Sequence, residues 1–256
     1  DVLGSRGLGD VYKRQVLIIP GGAFRRLVYN FEGEDVAKWL NSMGIAAFVL
    51  ECRLPSDEHD NAEDVPLIDA MRAMRVIRGR AQEFGIDEAK IGVMGFSAGG
   101  FMAALLSTAY ESDVYADYKY KDEYDKLSAR PDFAVCSYPV ISIDDCIEAG
   151  KRYMSEEQVL ERISDGKAKI LHKYNPDKLV RPDMPPVFIC ETDDDRTTLS
   201  ENSVGFYMAA RKAGVSAELH IFRTGGHGYG CGDDFAQTGE WKVLFTKWIK
   251  SIGIIS

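Results

Sequence analysis

Short apolar runs alternate with longer amphipathic ones along the chain. Val16-Leu17-Ile18-Ile19 is apolar at every position and stops at Pro20-Gly21-Gly22, the pattern of a strand buried on both faces. Similar runs recur at Ile45–Leu50, Lys90–Met94, Phe133–Tyr138, Val187–Cys190 and Ala217–Phe222. Helices are predicted over 32–43, stopped by Gly44, and over 65–84, with Ile68, Met71 and Met74 at helical spacing and Gly85 just past the end. Further helices are predicted over 98–109, over 201–213 with Gly214 behind it, and over 235–252. Strands alternating with helices of these lengths build βαβ units. The expected fold class is therefore α/β: a mostly parallel, doubly wound sheet of about six strands with helices on both faces.

Two stretches leave this rhythm. Residues 110–130 are tyrosine-rich and charged without a period. Residues 142–186 are irregular, with a helix predicted over 156–163, and are a candidate helical cap or lid over the strand ends. With no internal repeat and no Pro/Ser-rich linker, residues 16–256 read as one domain. The segment 1–15 carries three glycines and no apolar period, and the first methionine is Met43. It resembles translated adaptor sequence, and a non-native or disordered leader is expected there.

Composition narrows the function classes. Apolar residues make up 45% and charged residues 28%, ordinary for a soluble globular protein. A net charge of -9, with no long basic block, disfavours nucleic acid as a partner. The five cysteines, at 52, 136, 146, 190 and 231, have no regular spacing, which argues for free thiols and a reducing, cytoplasmic compartment. No apolar run is long enough to span a bilayer, so no membrane partner is expected.

In open parallel sheets, ligands bind at the carboxyl ends of strands. The third strand ends in Gly95-Phe96-Ser97-Ala98-Gly99 and enters a helix at once. A sharp strand–helix turn exposes its central serine and needs small residues two positions away on each side. Ser97 is the candidate nucleophile, and the Ala98 N–H, at a helix start, a candidate oxyanion donor. The bland alternative is a glycine-rich turn with a capping serine. A serine hydroxyl needs a base. His59 lies in an acidic loop, His172 in a lysine-flanked stretch and His220 inside a strand. His227, in Gly225-Gly226-His227-Gly228 after the last strand, reaches the same edge as Ser97 and is the expected base. The fifth strand runs into Asp193-Asp194-Asp195, one of which should orient that histidine. Pro20-Gly21-Gly22-Ala23 offers a second oxyanion donor on Gly22 or Ala23. Gly-x-Gly-x-x-Gly, Gly-Lys-Ser/Thr and His-Glu-x-x-His are all absent, so no nucleotide cofactor and no catalytic metal is expected.

These residues resemble a bacterial esterase family of the α/β-hydrolase fold, related to the hormone-sensitive-lipase-like and acetylxylan/feruloyl esterase groups. The matching segments are Ile19–Phe24, Glu32–Ala37, Gly95–Gly100, Tyr138–Ile141, Glu201–Ser203 and Gly225–Gly228. The resemblance implies a serine esterase that uses Ser97, His227 and, as the acid, Asp194, with Thr197 at a position usually held by valine. It implies small-molecule or carbohydrate esters as substrates, with short acyl groups such as acetyl on plant polysaccharide. Two departures stand out: Glu191, where the family has histidine or a small residue, and Ala23, where it has a third glycine. The family also has two strands ahead of Val16, so Ile45–Leu50 is expected to form an apolar sheet edge and a homodimer contact. A prolyl-oligopeptidase-like peptidase and a non-catalytic module on a hydrolase fold are the rival readings.

Overall fold

The computed structural model describes residues 13–55, 59–116, 118–152, 154–159, 169–232 and 237–255. Six strands form one sheet: β1 (Lys13–Ile19), β2 (Ala46–Val49), β3 (Ile86–Phe96), β4 (Phe133–Ser137), β5 (Val187–Thr192) and β6 (Ala217–Phe222). Their order is β2-β1-β3-β4-β5-β6, and every neighbouring pair is parallel. The expected doubly wound α/β sheet is the observed one, and all strands deliver their carboxyl ends to one edge.

Side-chain alternation explains the two layers of helices. Leu17, Ile19, Val93, Ala134, Cys136 and Ile189 face a core shared with α2 (Val65–Gly79), α4 (Ala98–Ala109) and α7 (Ser200–Lys212). Val16, Ile18, Met94, Val135 and Phe188 face the opposite core, closed by α1 (Asp35–Ser42) and α8 (Glu240–Ser251). Trp241, Phe245 and Ile249 of α8 are fully buried there. Both faces of the sheet are thus apolar, which is why its strands read as continuous hydrophobic runs.

Several boundaries differ from the sequence reading, each for a local reason. β1 starts at Lys13, inside the expected leader, and Gln15 is fully buried with its Nε2 donating to Asp87 O at 2.6 Å. A polar side chain anchored through its amide nitrogen thus extends a strand beyond its apolar run. The helix expected over 65–84 divides into α2 and α3 (Ala81–Phe84). Gly79, at the break, packs so closely on the Tyr124 ring that a Cβ would sit 2.3 Å from it. The helix expected over 32–43 opens with a π-helical turn, Asn30–Glu34, before α1. Between β4 and β5 lie α5 (Ile143–Lys151), α6 (Lys169–Lys173) and a 3₁₀ turn at Pro176–Leu179. Of the helix expected over 156–163, residues 156–159 are helical and the rest lies outside the described residues, as do residues 1–12 of the expected leader. β2 lies at one edge of the sheet, with all four of its residues half-buried.

α4 can begin against the sheet only because glycine permits it. A Cβ on Gly99 would sit 1.9 Å from Ile19 O, and one on Gly95 would sit 1.9 Å from Gly99 O. By contrast, a Cβ on Gly205, exposed within α7, would meet nothing within 4 Å. Gly99→Ala should therefore lower stability in urea unfolding by about 3 kcal/mol or more, whereas Gly205→Ala should raise it by about 0.5–1 kcal/mol.

Candidate active site

β3 stops at Phe96 and α4 starts at Ala98, leaving a single residue for the reversal. Ser97 makes it with φ 53° and ψ -119°, a sparsely populated backbone conformation that costs about 1–3 kcal/mol when its surroundings enforce it. Hydrogen bonds enforce it here: Ser97 N–H donates to Ser137 O at 3.0 Å, and Ser97 O accepts from Phe101 N at 3.0 Å. The serine side chain is thereby pushed off the sheet edge, over a cavity.

The turn after β6 brings His227 to it. Gly225, Gly226 and Gly228 all have positive φ, as needed for a chain that folds back over the strand ends. His227 Nε2 lies 2.8 Å from Ser97 Oγ, and Nδ1 lies 2.6 Å from Asp195 Oδ2. An ionised carboxylate only accepts, so Nδ1 carries the proton and donates to Asp195; Nε2 is then free to accept from the serine hydroxyl. The chain Asp195–His227–Ser97 is continuous, with Asp195 3% exposed and Ser97 9% exposed.

The carboxylate bonded to His227 is thus Asp195, not Asp194 as the sequence reading expected. Asp194, the expected partner, is exposed and caps the histidine loop instead: its Oδ1 accepts from Gly225 N at 2.9 Å and Gly226 N at 2.8 Å. Asp195 points inward because its Oδ1 accepts from Thr197 N at 2.7 Å and Thr198 N at 3.0 Å, and its Oδ2 accepts from Thr198 Oγ1 at 2.9 Å. This Asp-x-Thr-Thr turn was the available sequence signal, since an aspartate bonding two and three residues ahead is locked locally. Burial disfavours the Asp195 charge, but His227 and the Thr198 and Thr197 amides outweigh it and hold the carboxyl below the ordinary aspartate range.

Glu191 supplies a second carboxyl at the end of β5 and is fully buried. It accepts from Thr192 N at 2.9 Å and from Ser203 Oγ at 3.3 Å. Burial first, and the neighbouring Asp195 charge second, push its pKa well above the usual glutamate range. Glu191 thus favours its neutral form and leaves Asp195 as the negative charge beside the imidazole.

Ser97, Ala98 and Ala23 line one cavity of about 360 Å³. Ala98 is the first residue of α4, so its N–H has no intrahelical acceptor. Ala23 has φ 56° and follows Gly22, whose carbonyl accepts from Arg25 and Arg26 N–H in a tight turn. Of the two alternatives in this loop, Ala23 lines the cavity together with Ser97. Phe24, Val140, Met154, Val159 and Leu171 give the cavity an apolar lining, partly drawn from the irregular region between β4 and β5.

The remaining histidines lie elsewhere. His59 lines a separate polar groove with Arg53 and Tyr120, His172 is exposed, and His220 on β6 bonds Glu218 Oε1 at 2.8 Å. Glu32 and Tyr138 were not singled out as functional by sequence. Both are buried, and Tyr138 packs edge-on against the His227 ring at 5.0 Å. Among the described residues, no group of three or more His, Cys, Asp and Glu side chains could hold a metal, and no helix is long and apolar enough to cross a membrane.

Comparison with known proteins adds three observations. The sequence model of the BD-FAE family matches residues 10–209. An acetylxylan esterase of Xylanibacter ruminicola is 31% identical over 241 residues, which is 93% of this chain and 46% of that protein. The chain spans less than half the length of the curated relatives it matches. Among solved structures, an acetyl ester-xyloside bifunctional hydrolase from Caldicellulosiruptor lactoaceticus superposes with a TM-score of 0.79 at 37% identity, covering 97% of this chain and 87% of that one. A carboxylesterase from Lactobacillus plantarum, 21% identical and covering 96% of this chain and 88% of its own, shares the fold with a TM-score of 0.78.

Two predictions separate the three carboxyls. Asp195→Asn should lower kcat for an ester substrate by ~10³–10⁴, while Asp194→Asn, which still offers an oxygen to Gly225 and Gly226, should stay within about tenfold of wild type. Glu191 has a raised folded-state pKa, so its stabilising effect is complete below the unfolded glutamate value of ~4.3 and is lost as pH rises toward the folded value. Glu191→Gln should therefore gain stability relative to wild type as pH is raised from about 4 to 8, read from urea midpoints.

Proposed function

The chain belongs to the BD-FAE family, and from that premise we propose that it is a serine carboxylic-ester hydrolase acting on short-acyl, chiefly acetyl, esters carried by plant polysaccharide. The observation that carries the chemistry is the hydrogen-bond chain from Asp195 through His227 to Ser97, which lines a cavity. The polysaccharide part rests on relatives named for acetylxylan and for acetyl ester-xyloside hydrolysis.

In this reading, Ser97 Oγ attacks the ester carbonyl while its proton passes to His227 Nε2. Asp195 holds the imidazolium that forms. The carbonyl oxygen becomes an oxyanion held by the N–H groups of Ala98 and Ala23, each donor worth ~10²–10³ in kcat. The C–O bond to the alcohol breaks, and the alcohol leaves with the proton from His227. Water, deprotonated by the same histidine, then attacks the acyl-serine and frees the acid and Ser97. Asp195 stays ionised throughout, because its carboxyl is held below the usual aspartate range. The irregular region between β4 and β5 contributes Met154 and Leu171 to the wall and serves as a cap over the acyl group.

Wild type should be labelled covalently by a fluorophosphonate at Ser97 and should hydrolyse p-nitrophenyl acetate and acetylated xylan. Ser97→Ala should abolish labelling and lower kcat by ~10⁴ or more. A folded wild type that takes no label contradicts the enzyme reading, and faster cleavage of a dipeptidyl amide than of the ester favours a peptidase.

A further inference from the structure

Glu32 lies in the π-helical turn ahead of α1, only 2% exposed, and no step of the reaction above uses it. Its two carboxylate oxygens are committed to two different pieces of the site. Oε2 accepts from Gly21 N–H at 2.8 Å, immediately before the Gly22-Ala23 turn. Oε1 accepts from the Tyr138 hydroxyl at 2.9 Å. That hydroxyl in turn accepts from Gly230 N–H at 3.0 Å, in the loop that carries His227. The far side of the same peptide loop is pinned by Trp241, whose Nε1 donates to Gly230 O at 3.0 Å.

The contacts leave little slack. A Cβ on Gly21 would sit 2.7 Å from Glu32 Oε2 and 2.9 Å from Ser97 Cβ, so the glutamate, the loop backbone and the nucleophile are already in contact distance. Tyr138 has φ 37°, an enforced left-handed conformation right after β4, and its ring meets His227 at 5.0 Å and Tyr229 at 4.5 Å. Bending Tyr138 toward Glu32 thus also fixes the wall against which the imidazole rests.

We propose that Glu32 is a positioning residue: one buried carboxylate that ties the loop presenting the oxyanion donor to the loop presenting His227, and so sets their spacing around Ser97. The inference rests on the serine-hydrolase reading. Burial raises the Glu32 pKa above its usual range, and the Tyr138 and Gly21 donors, with the charge His227 can carry, act against that. A carboxylate serves because both its oxygens must accept; an amide offers a single acceptor. Misplacement of catalytic groups lowers turnover more than it lowers substrate affinity.

Steady-state kinetics on p-nitrophenyl acetate with Glu32→Gln, Tyr138→Phe and the double variant test this. Glu32→Gln should lose roughly 10- to 100-fold in kcat with KM within about threefold of wild type. Its affinity for a boronic acid that mimics the tetrahedral intermediate should weaken by the same factor as kcat/KM. Tyr138→Phe should show the same split, and the double variant should be no worse than the poorer single variant, because both remove one brace. A Glu32→Gln enzyme with kcat within twofold of wild type, a rise in KM with kcat unchanged, or fully additive losses would each overturn the proposal. Should Glu32→Gln not fold, Tyr138→Phe decides alone: wild-type kcat there overturns the proposal, and the kcat loss with unchanged KM supports it. A wild type that resists the fluorophosphonate and cleaves no ester brings down the proposed function itself, an outcome distinct from a labelled, active wild type whose Glu32→Gln form keeps its kcat.

Discussion

α4 has to start one residue after β3 ends, with its first turn touching the backbone of β1. That close approach is the constraint on which the rest of the site depends. Gly99 lets the helix lie against Ile19, and Gly95 lets the strand end beneath it. The remaining residue, Ser97, then has no choice but a strained conformation, φ 53°, with its N–H held by Ser137 and its carbonyl by Phe101. The strain aims the hydroxyl away from the sheet and puts the free N–H of Ala98 beside it. Parallel topology does the rest: every other strand ends at the same edge, so Asp195 after β5 and His227 after β6 arrive within hydrogen-bond reach although they lie about a hundred residues or more from Ser97 in the chain.

Electrostatics around the histidine are arranged by burial and by backbone donors. Asp195 is held toward its charged form against burial, first by His227 and then by the Thr198 and Thr197 amides. Glu191, one turn away and equally buried, is pushed toward its neutral form by the same surroundings. Glu32, on the other side of the histidine, has its oxygens taken by Gly21 and Tyr138. Three buried carboxyls thus have three different jobs, set by what donates to each.

The fold was legible in the sequence because a parallel sheet covered on both faces demands largely apolar strands, and the chain has five such runs, with a sixth at the sheet edge, β6, interrupted by Glu218 and His220. Ser97 and His227 were legible for a related reason: each follows a strand end and is flanked by the glycines its turn requires. Strand before, glycines around and chain order together singled them out, and the structure brings their side chains within 2.8 Å. Among three adjacent aspartates the sequence did not show that Asp195 rather than Asp194 bonds His227, because strand alternation stops at Thr192, and beyond it only the turn decides which side chain points inward. The turn is decided by Thr197 and Thr198, which lock Asp195. Glu32 and Tyr138 were not legible as site residues, since their partners are Gly21 and Gly230, whose proximity exists only once the ends of β1 and β4 and the loop after β6 meet at one edge of the sheet. Gln15 extended β1 beyond its apolar run through a bond to Asp87 that the local sequence does not announce.

In the proposed reaction the Ser97 hydroxyl, the His227–Asp195 pair and the N–H groups of Ala98 and Ala23 converge on one reacting carbonyl group. A crystal structure of the protein inhibited by a short alkyl phosphonate tests this most directly. Phosphorus should be bonded to Ser97 Oγ, with the phosphoryl oxygen within hydrogen-bond distance of the Ala98 and Ala23 nitrogens and His227 still bonded to Asp195. A phosphoryl oxygen turned away from both nitrogens, or a His227 bonded to Asp194 instead, would contradict it.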